Sequence, residues 1–355
     1  MKVYFGNTGG SIGMDVKGRP VRTAEQLLEG VSCPKGVELT LDDFNPKLDS
    51  KNIKDEDRTE IYAERLAEVY SEHDAFVLGH GTETEGKTGG ALSMVYKRTF
   101  QKPGVVVGSL KKKKQRGNAV IKQLEDTLEV LKYFHDNSIV GWHAVSNGQA
   151  LSASRLWKRT RTMEDYLVTP FRAPVAYIAD HVHHTEVARL KEQKWVDIGL
   201  RLEKKFSRKV GVFIPDADIN PRIMRLGIDD GLYDGIIIYG DNPSNRPWND
   251  AHPHTHWLGA IKQAIDAGIH VALLSAYNGE QVDLESYQMS QMAADMGALT
   301  LESLTFDMAS FKFRQALAMF PNDPPMIQKY ISTNFVGELL SGIDPEWYES
   351  IQMAA

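Results

Sequence analysis

A chain of 355 residues has room for two ordinary domains. It is 42% apolar and 25% charged with a net charge of −6, a globular composition whose field gives no attraction to nucleic acid or to an anionic membrane. No apolar run approaches the ~20 residues of a membrane span, Met1-Lys2 leads straight into a strand without a secretory signal, and the single Cys33 excludes an intramolecular disulfide and a cysteine-based zinc site, as expected for a cytoplasmic chain.

The first half alternates strand and helix signals. Val3–Phe5 reads as a strand, Thr23–Leu28 as a helix and Val37–Leu41 as a strand. Asp55, Glu56 and Asp57 place acids in the first turn of a helix, which suits its dipole, and Tyr62, Leu66, Val69 and Tyr70 continue it at helical spacing. Ala75–Leu78 and Val105–Val107 are fully apolar strand runs, and Ala119–Leu131 reads as a helix. Such alternation predicts an α/β fold with a parallel sheet covered on both faces. The charged stretch from Ala179 to Arg208 reads as the connection between domains. A second α/β pattern follows, with strands at Val210–Ile214, Gly235–Tyr239 and His270–Leu274 and helices at His256–Ala267, Leu284–Asp295 and Leu301–Met319. The expected domains are 1–185 and 209–355, joined by a linker at 186–208.

Two turns carry the chemistry. Asn7-Thr8-Gly9-Gly10-Ser11-Ile12-Gly13 follows the first strand, and His80-Gly81-Thr82-Glu83-Thr84 follows the apolar run at 75–78. Ligands of open α/β sheets bind at the C-terminal strand edge. Glycines there let backbone and ligand approach, and hydroxyls supply nucleophiles or hydrogen bonds. Each turn alone is equally a tight strand-to-helix connection. The second turn also fits a phosphate loop, Gly81-Thr82-Glu83-Thr84-Glu85-Gly86-Lys87-Thr88. Against a nucleotide stand Glu83 and Glu85, two carboxylates in the cradle where a polyphosphate would lie.

Together the turns resemble the L-asparaginase/glutaminase family, with its T-G-G-T-I turn near the N-terminus and H-G-T-D-T further on. The likeness is greatest to the cytosolic bacterial type I branch, through Gly9-Gly10-Ser11-Ile12-Gly13-Met14. Leu48-Asp49-Ser50, Val107-Gly108-Ser109, the spacing from Asn147 to Lys158, Tyr239-Gly240 to Asn245, and Asn334-Phe335-Val336-Gly337-Glu338-Leu339 resemble further family segments, so the likeness covers nearly the whole chain. It implies a larger N-terminal parallel-sheet domain and a smaller C-terminal Rossmann-like domain. It also implies release of ammonia from L-asparagine or a related small amide, through a hydroxyl nucleophile and an acyl-enzyme. By position, Ser11 would be the nucleophile, with Thr82, Glu83 and Lys158 as the assisting cluster. Substrate would be held by Gly10, Ser50, Gly81 and Asn245, the last contributed across a homodimer or homotetramer interface. The family needs no cofactor and no metal. A partly desolvated lysine beside a carboxylate suits proton transfer to a weak hydroxyl nucleophile.

The departures from the family pattern are specific. Ser11 stands where the family has threonine and Glu83 where it has aspartate. Asp15-Val16-Lys17-Gly18-Arg19-Pro20 is a shorter lid without the family tyrosine, and Lys111–Lys114 with Gln115-Arg116-Gly117-Asn118 replaces a family S-D-G segment. They leave open an altered substrate or a catalytically silent fold used for binding or assembly; a nucleotide site using Lys87 is the third reading. The branch acting on amidated tRNA is not expected, since the chain starts at its first strand. The lysine run reads as a solvated loop; without interleaved aromatics, single-strand stacking is not expected. His181, His183, His184, His252, His254 and His256 read as linker or interface residues, or else as metal-binding pairs. Met289, Met292 and Met296 read as core or interface filler.

Overall fold

The computed structural model describes residues 1–15, 17–109, 119–160, 166–179, 182–184, 199–216, 219–240 and 256–348. The chain divides into two compact units, Met1–Lys204 and Lys205–Ala355.

The strands of the first unit are β1 (Lys2–Gly9), β2 (Glu38–Leu48), β3 (Ala75–Gly79), β4 (Pro103–Val107), β5 (Gly141–Ser146), β6 (Gln149–Ser152), β7 (Trp157–Lys158), β8 (Leu167–Val168), β9 (Ala176–Ile178) and β10 (Val182–His184). Among the described residues they form an eight-stranded sheet, ordered β10-β9-β6-β5-β4-β3-β1-β2, and a separate β7–β8 pair. The stretch β2-β1-β3-β4-β5 is parallel. Beyond β5 the pairing turns antiparallel, so the sheet is parallel-dominated rather than wholly parallel. The reversal lies in Asn147-Gly148, whose φ of 47° and 69° fit the two-residue turn that matches strand twist. That dipeptide is a hairpin signal legible in the sequence. Val182–His184, at the start of the charged stretch and within the expected 1–185 domain, forms the edge strand of this sheet.

Helices α1 (Ala24–Leu28), α2 (Ala63–Glu68), α3 (Glu85–Tyr96) and α4 (Ala119–Asp136) accompany it. Thr23 caps α1 in a reciprocal pair with Gln26, which is why the helical signal begins there. The helix expected from Asp55 begins there and passes through a wide π-type segment, Asp57–Tyr62, before α2. α3 is buried along nearly its whole length, and its Gly89 lets it close on Ala153, where a Cβ would approach to 2.8 Å. Val3, Phe5, Ile12, Val77, Val105, Val107, Leu124 and Leu131 build one core cluster against α4.

In the second unit β11 (Val210–Phe213), β12 (Gly235–Tyr239), β13 (His270–Leu274) and β14 (Leu299–Thr300) form a parallel sheet in chain order. α5 (Arg222–Asp229), α6 (Trp257–Asp266), α7 (Gln288–Asp295), α8 (Phe306–Met319) and α9 (Pro324–Ile331) complete it. Helices α7 and α8 start later than the sequence pattern suggests. Ile236, Ile238, Leu258, Ile261, Val271 and Leu273 form its core, with Met289 and Met292 packed against it. Among the described residues no helix is long and apolar enough to cross a membrane.

Candidate active site

β1 lies between β2 and β3, so the chain reverses direction across the sheet at the β1/β3 boundary, the point where open α/β sheets form a crevice. Asn7 faces Gly79 in the register there, and the two turns leave their strands side by side. They are pressed together backbone to backbone. Gly10 has φ +62° and a Cβ on it would meet Gly81 N at 2.1 Å; only glycine fits. A Cβ on Gly81 would meet Ser50 Oγ at 2.4 Å and Ser11 N at 3.0 Å. Gly10 N donates to Leu48 O at 2.7 Å, and Thr84 Oγ1 donates to Ser50 O at 2.7 Å, tying the β2 end to both turns.

The side chains converge at the same place. Thr82 N–H donates to Ser11 Oγ at 3.3 Å, and Lys158 Nζ donates to Thr82 Oγ1 at 2.9 Å. Lys158 Nζ also lies 3.2 Å from Glu83 Oε1 in an ion pair whose side chains are 15% and 36% exposed. The β7–β8 pair delivers the lysine, with Lys158 opposite Leu167. Seven of the eight residues expected in the site, Gly10, Ser11, Ser50, Gly81, Thr82, Glu83 and Lys158, therefore meet in one cluster from four segments. The eighth, Asn245, lies outside the described residues, as do Val16, Lys111–Lys114, His181, His252 and His254.

The lid segment is a small closed loop. Asp15 accepts Arg19 Nε and Nη2 at 2.9 and 2.8 Å, and these bonds, with the Arg19 and Lys17 backbone amides, hold its carboxyl down to about 2. The phosphate-loop reading fares poorly: Lys87 is exposed while Glu85 is buried, the reverse of what a polyphosphate requires.

Other residues support the turns. His80 is fully buried, and desolvation holds its imidazole down to about 3, so it is neutral. Its Nδ1–H donates to Gly81 O at 2.8 Å, which leaves Nε2 to accept from Thr88 Oγ1 at 2.9 Å. Thr88 Oγ1 accepts in turn from Arg58 Nε at 2.9 Å, on the π-type segment, and Arg58 Nη1 pairs with Asp55 at 2.9 Å. This relay fixes the imidazole tautomer and the carbonyl of the second turn. Gln123 of α4 donates to Gly108 O at 2.6 Å and Val145 O at 3.0 Å, covering two strand ends. Glu85 and Tyr166 lie buried beside Gly108. Reach across the sheet, which spacing along the chain does not reveal, joins these groups.

The family profile described as "Asparaginase, N-terminal" matches residues 2–191. A glutamyl-tRNA(Gln) amidotransferase subunit from Thermococcus kodakarensis is 25% identical over 352 residues, covering 94% of this chain and 75% of its own. L-asparaginase 1 of Escherichia coli K12 is 24% identical over 348 residues, covering 95% of this chain and 97% of its own. Among solved structures, the thermostable L-asparaginase from Thermococcus kodakarensis superposes with a TM-score of 0.81 at 20% identity, covering 96% of this chain and all of the other. L-asparaginase I from Vibrio cholerae gives 0.76 at 20% identity, covering 95% and 98%.

Proposed function

The chain belongs to the asparaginase family, and from that premise we propose that it is an amidohydrolase that releases ammonia from L-asparagine or a related small amide. The convergence of Ser11, Thr82, Glu83 and Lys158 carries the reading. Ser11 Oγ attacks the side-chain amide carbon, and its proton passes to the Thr82–Lys158 pair. The pair returns that proton to the amide nitrogen, the C–N bond breaks to release ammonia, and water hydrolyses the resulting ester on Ser11 to the acid. The Thr82 N–H aimed at Ser11 Oγ favours negative charge on that oxygen. Glu83 keeps Lys158 oriented, and the same carboxylate is placed to pair with a substrate ammonium. Ser50, Gly10 and Gly81 form the floor on which the substrate's carboxylate end would rest.

Serine in place of threonine keeps the hydroxyl and loses the methyl that restricts its rotamer. Glutamate in place of aspartate reaches one methylene further toward the pocket. The working unit is a homodimer or homotetramer, with Asn245 completing a neighbour's site; a monomeric mass by light scattering at micromolar concentration would exclude that assembly.

The test is ammonia release from L-asparagine and L-glutamine, with Ser11→Ala as the control. Release by the wild type, reduced by more than ~1,000-fold in the variant, supports Ser11 as nucleophile. A folded wild-type chain silent toward both amides favours the non-catalytic reading. The match with an amidotransferase subunit raises one further reading, an ammonia-releasing component of a larger assembly. Free-amide turnover by the isolated chain at the rate of an independent enzyme argues against it.

A further inference from the structure

The Gly81–Thr82 peptide carries the amide that meets the Ser11 hydroxyl: Thr82 N–H donates to Ser11 Oγ at 3.3 Å. That peptide is trans, so its C=O and N–H share one plane and point in opposite directions. A hold on Gly81 O therefore sets where the Thr82 N–H points. Glycine does not fix the plane by itself, because it has no side chain to restrict its dihedrals. The hold comes from His80, whose Nδ1 lies 2.8 Å from Gly81 O. A carbonyl oxygen only accepts, so the proton sits on Nδ1 and Nε2 is left as an acceptor. Nε2 takes the Thr88 hydroxyl proton at 2.9 Å, and Thr88 Oγ1 accepts from Arg58 Nε at 2.9 Å. Every donor in the run is thereby assigned, from Arg58 through Thr88 and His80 to Gly81 O. His80 and Thr88 are 0% exposed and Arg58 2%, so bulk water does not compete for these bonds.

Resting on the amidohydrolase reading for its effect on turnover, we propose that His80, Thr88 and Arg58 are positioning residues that act through the Gly81–Thr82 peptide to hold the Thr82 N–H on the nucleophile's oxygen. None of the three reaches the reacting atoms. When Ser11 Oγ gives up its proton, the Thr82 dipole already faces the developing charge, and no reorganisation is needed at that moment. Without the Thr88 hydroxyl, Nε2 has no donor, the ring is free to turn and the peptide plane turns with it. Arg58 stands on the π-type segment, a helix irregularity that recurs at functional sites.

The experiment reads the Thr82 amide directly. Threonine is labelled with a nitrogen isotope and the amide proton shifts are recorded by NMR. Ser11→Ala removes the acceptor, so it identifies the Thr82 resonance and marks its unbonded position. In Thr88→Val that resonance moves toward the Ser11→Ala position; in Thr88→Ser, which keeps the hydroxyl, it stays with the wild type. Arg58→Met breaks the run at its first bond and moves the resonance the same way by less; it serves also if Thr88→Val fails to fold. In turnover, kcat for ammonia release falls ~10- to 100-fold in Thr88→Val with KM kept within ~2-fold, and Thr88→Ser regains it. A Thr82 resonance at the wild-type position in both Thr88→Val and Arg58→Met would overturn the proposal, and so would an unchanged kcat in an active enzyme whose Thr82 amide has moved. The expected shifts with no ammonia release by any of the proteins, wild type included, leave the relay standing and remove only the amidohydrolase reading.

Discussion

Each of the two units holds a lysine–glutamate pair, and the two pairs differ in almost everything but their chemistry. Lys158–Glu83 in the first unit sits at 3.2 Å with the glutamate 36% exposed. Lys312–Glu338 in the second sits at 2.6 Å with both side chains 0% exposed. Lys312 also donates to Thr333 O, and the Glu338 carboxylate accepts from Phe335 N at 3.1 Å and Val336 N at 2.8 Å. The buried pair is thus satisfied on both sides and fastens α8 to the chain's closing segment. Burial pushes the Lys312 ammonium down, and the Glu338 charge opposes that. The pair at the site is partly exposed, and its lysine is shared with the Thr82 hydroxyl. A charge pair that is fully enclosed and fully bonded holds structure; one left at a crevice edge, beside hydroxyls, is free to do chemistry.

The largest expected effect separates the two pairs by activity. Lys158→Met should lower ammonia release ~100- to 10,000-fold, the range for removing a positioned proton-transfer group. Its melting midpoint should barely move, since a partly exposed pair contributes ~0–1 kcal/mol. A variant that loses stability instead of rate would assign Lys158 to the fold. Lys312→Met should show the opposite pattern. It leaves a buried carboxylate uncompensated and should cost about 3–5 kcal/mol in urea unfolding, with activity per folded molecule kept. The double change Lys312→Met with Glu338→Leu should recover part of that loss; no recovery would mean that the Glu338 bonds to backbone amides outweigh its charge pairing.

The acid response tests how the first unit holds its turns. Burial keeps His80 down to about 3 and His143 to about 4, well below a free histidine. The unfolded chain therefore binds more protons than the folded one below pH ~6.5, and stability falls as pH drops from there through the folded values. Each histidine contributes a slope of up to ~1.4 kcal/mol per pH unit. Glu85 acts in the other direction: raised to about 8, it keeps its proton when folded and loses it when unfolded, so stability declines as pH rises from about 4.5 to 8. Thermal scans of wild type and Glu85→Gln across this range should converge near pH 4.5 and diverge toward pH 8. Parallel curves would place the Glu85 carboxyl at an ordinary value. The smallest effect is expected at the lid loop. Asp15→Ala breaks an exposed pair and should leave the melting midpoint unchanged, so a clear loss would show that the loop supports the first turn.

Much of the site is legible in the amino-acid sequence. Gly10, Ser11, Gly81 and Thr82 lie at the ends of two apolar runs, and the sheet brings those ends together as adjacent parallel strands. Lys158 is reachable only through the family pattern, because it stands on a two-residue strand that no periodicity announces. Arg58 and Gln123 give no signal at all, and Thr88 gives only the phosphate-loop one. Their polar side chains read as helix surface, and only tertiary packing turns them toward His80 and the strand-end carbonyls. Glu85 reads as one more acid in a loop hostile to phosphate, whereas burial makes it a neutral acid below the site.

By itself the sequence determined the strand-and-turn alternation, the glycines that permit the close turns and the hydroxyls at their tips, since these rest on local sterics and on residue type. The tertiary structure alone decided the strand order that makes β1 and β3 neighbours, the antiparallel pairing of β9 and β10 at the sheet edge, and the charge states of His80 and Glu85. Those depend on which distant segments remove water from a group, and desolvation is a property of the packed fold rather than of any stretch of chain.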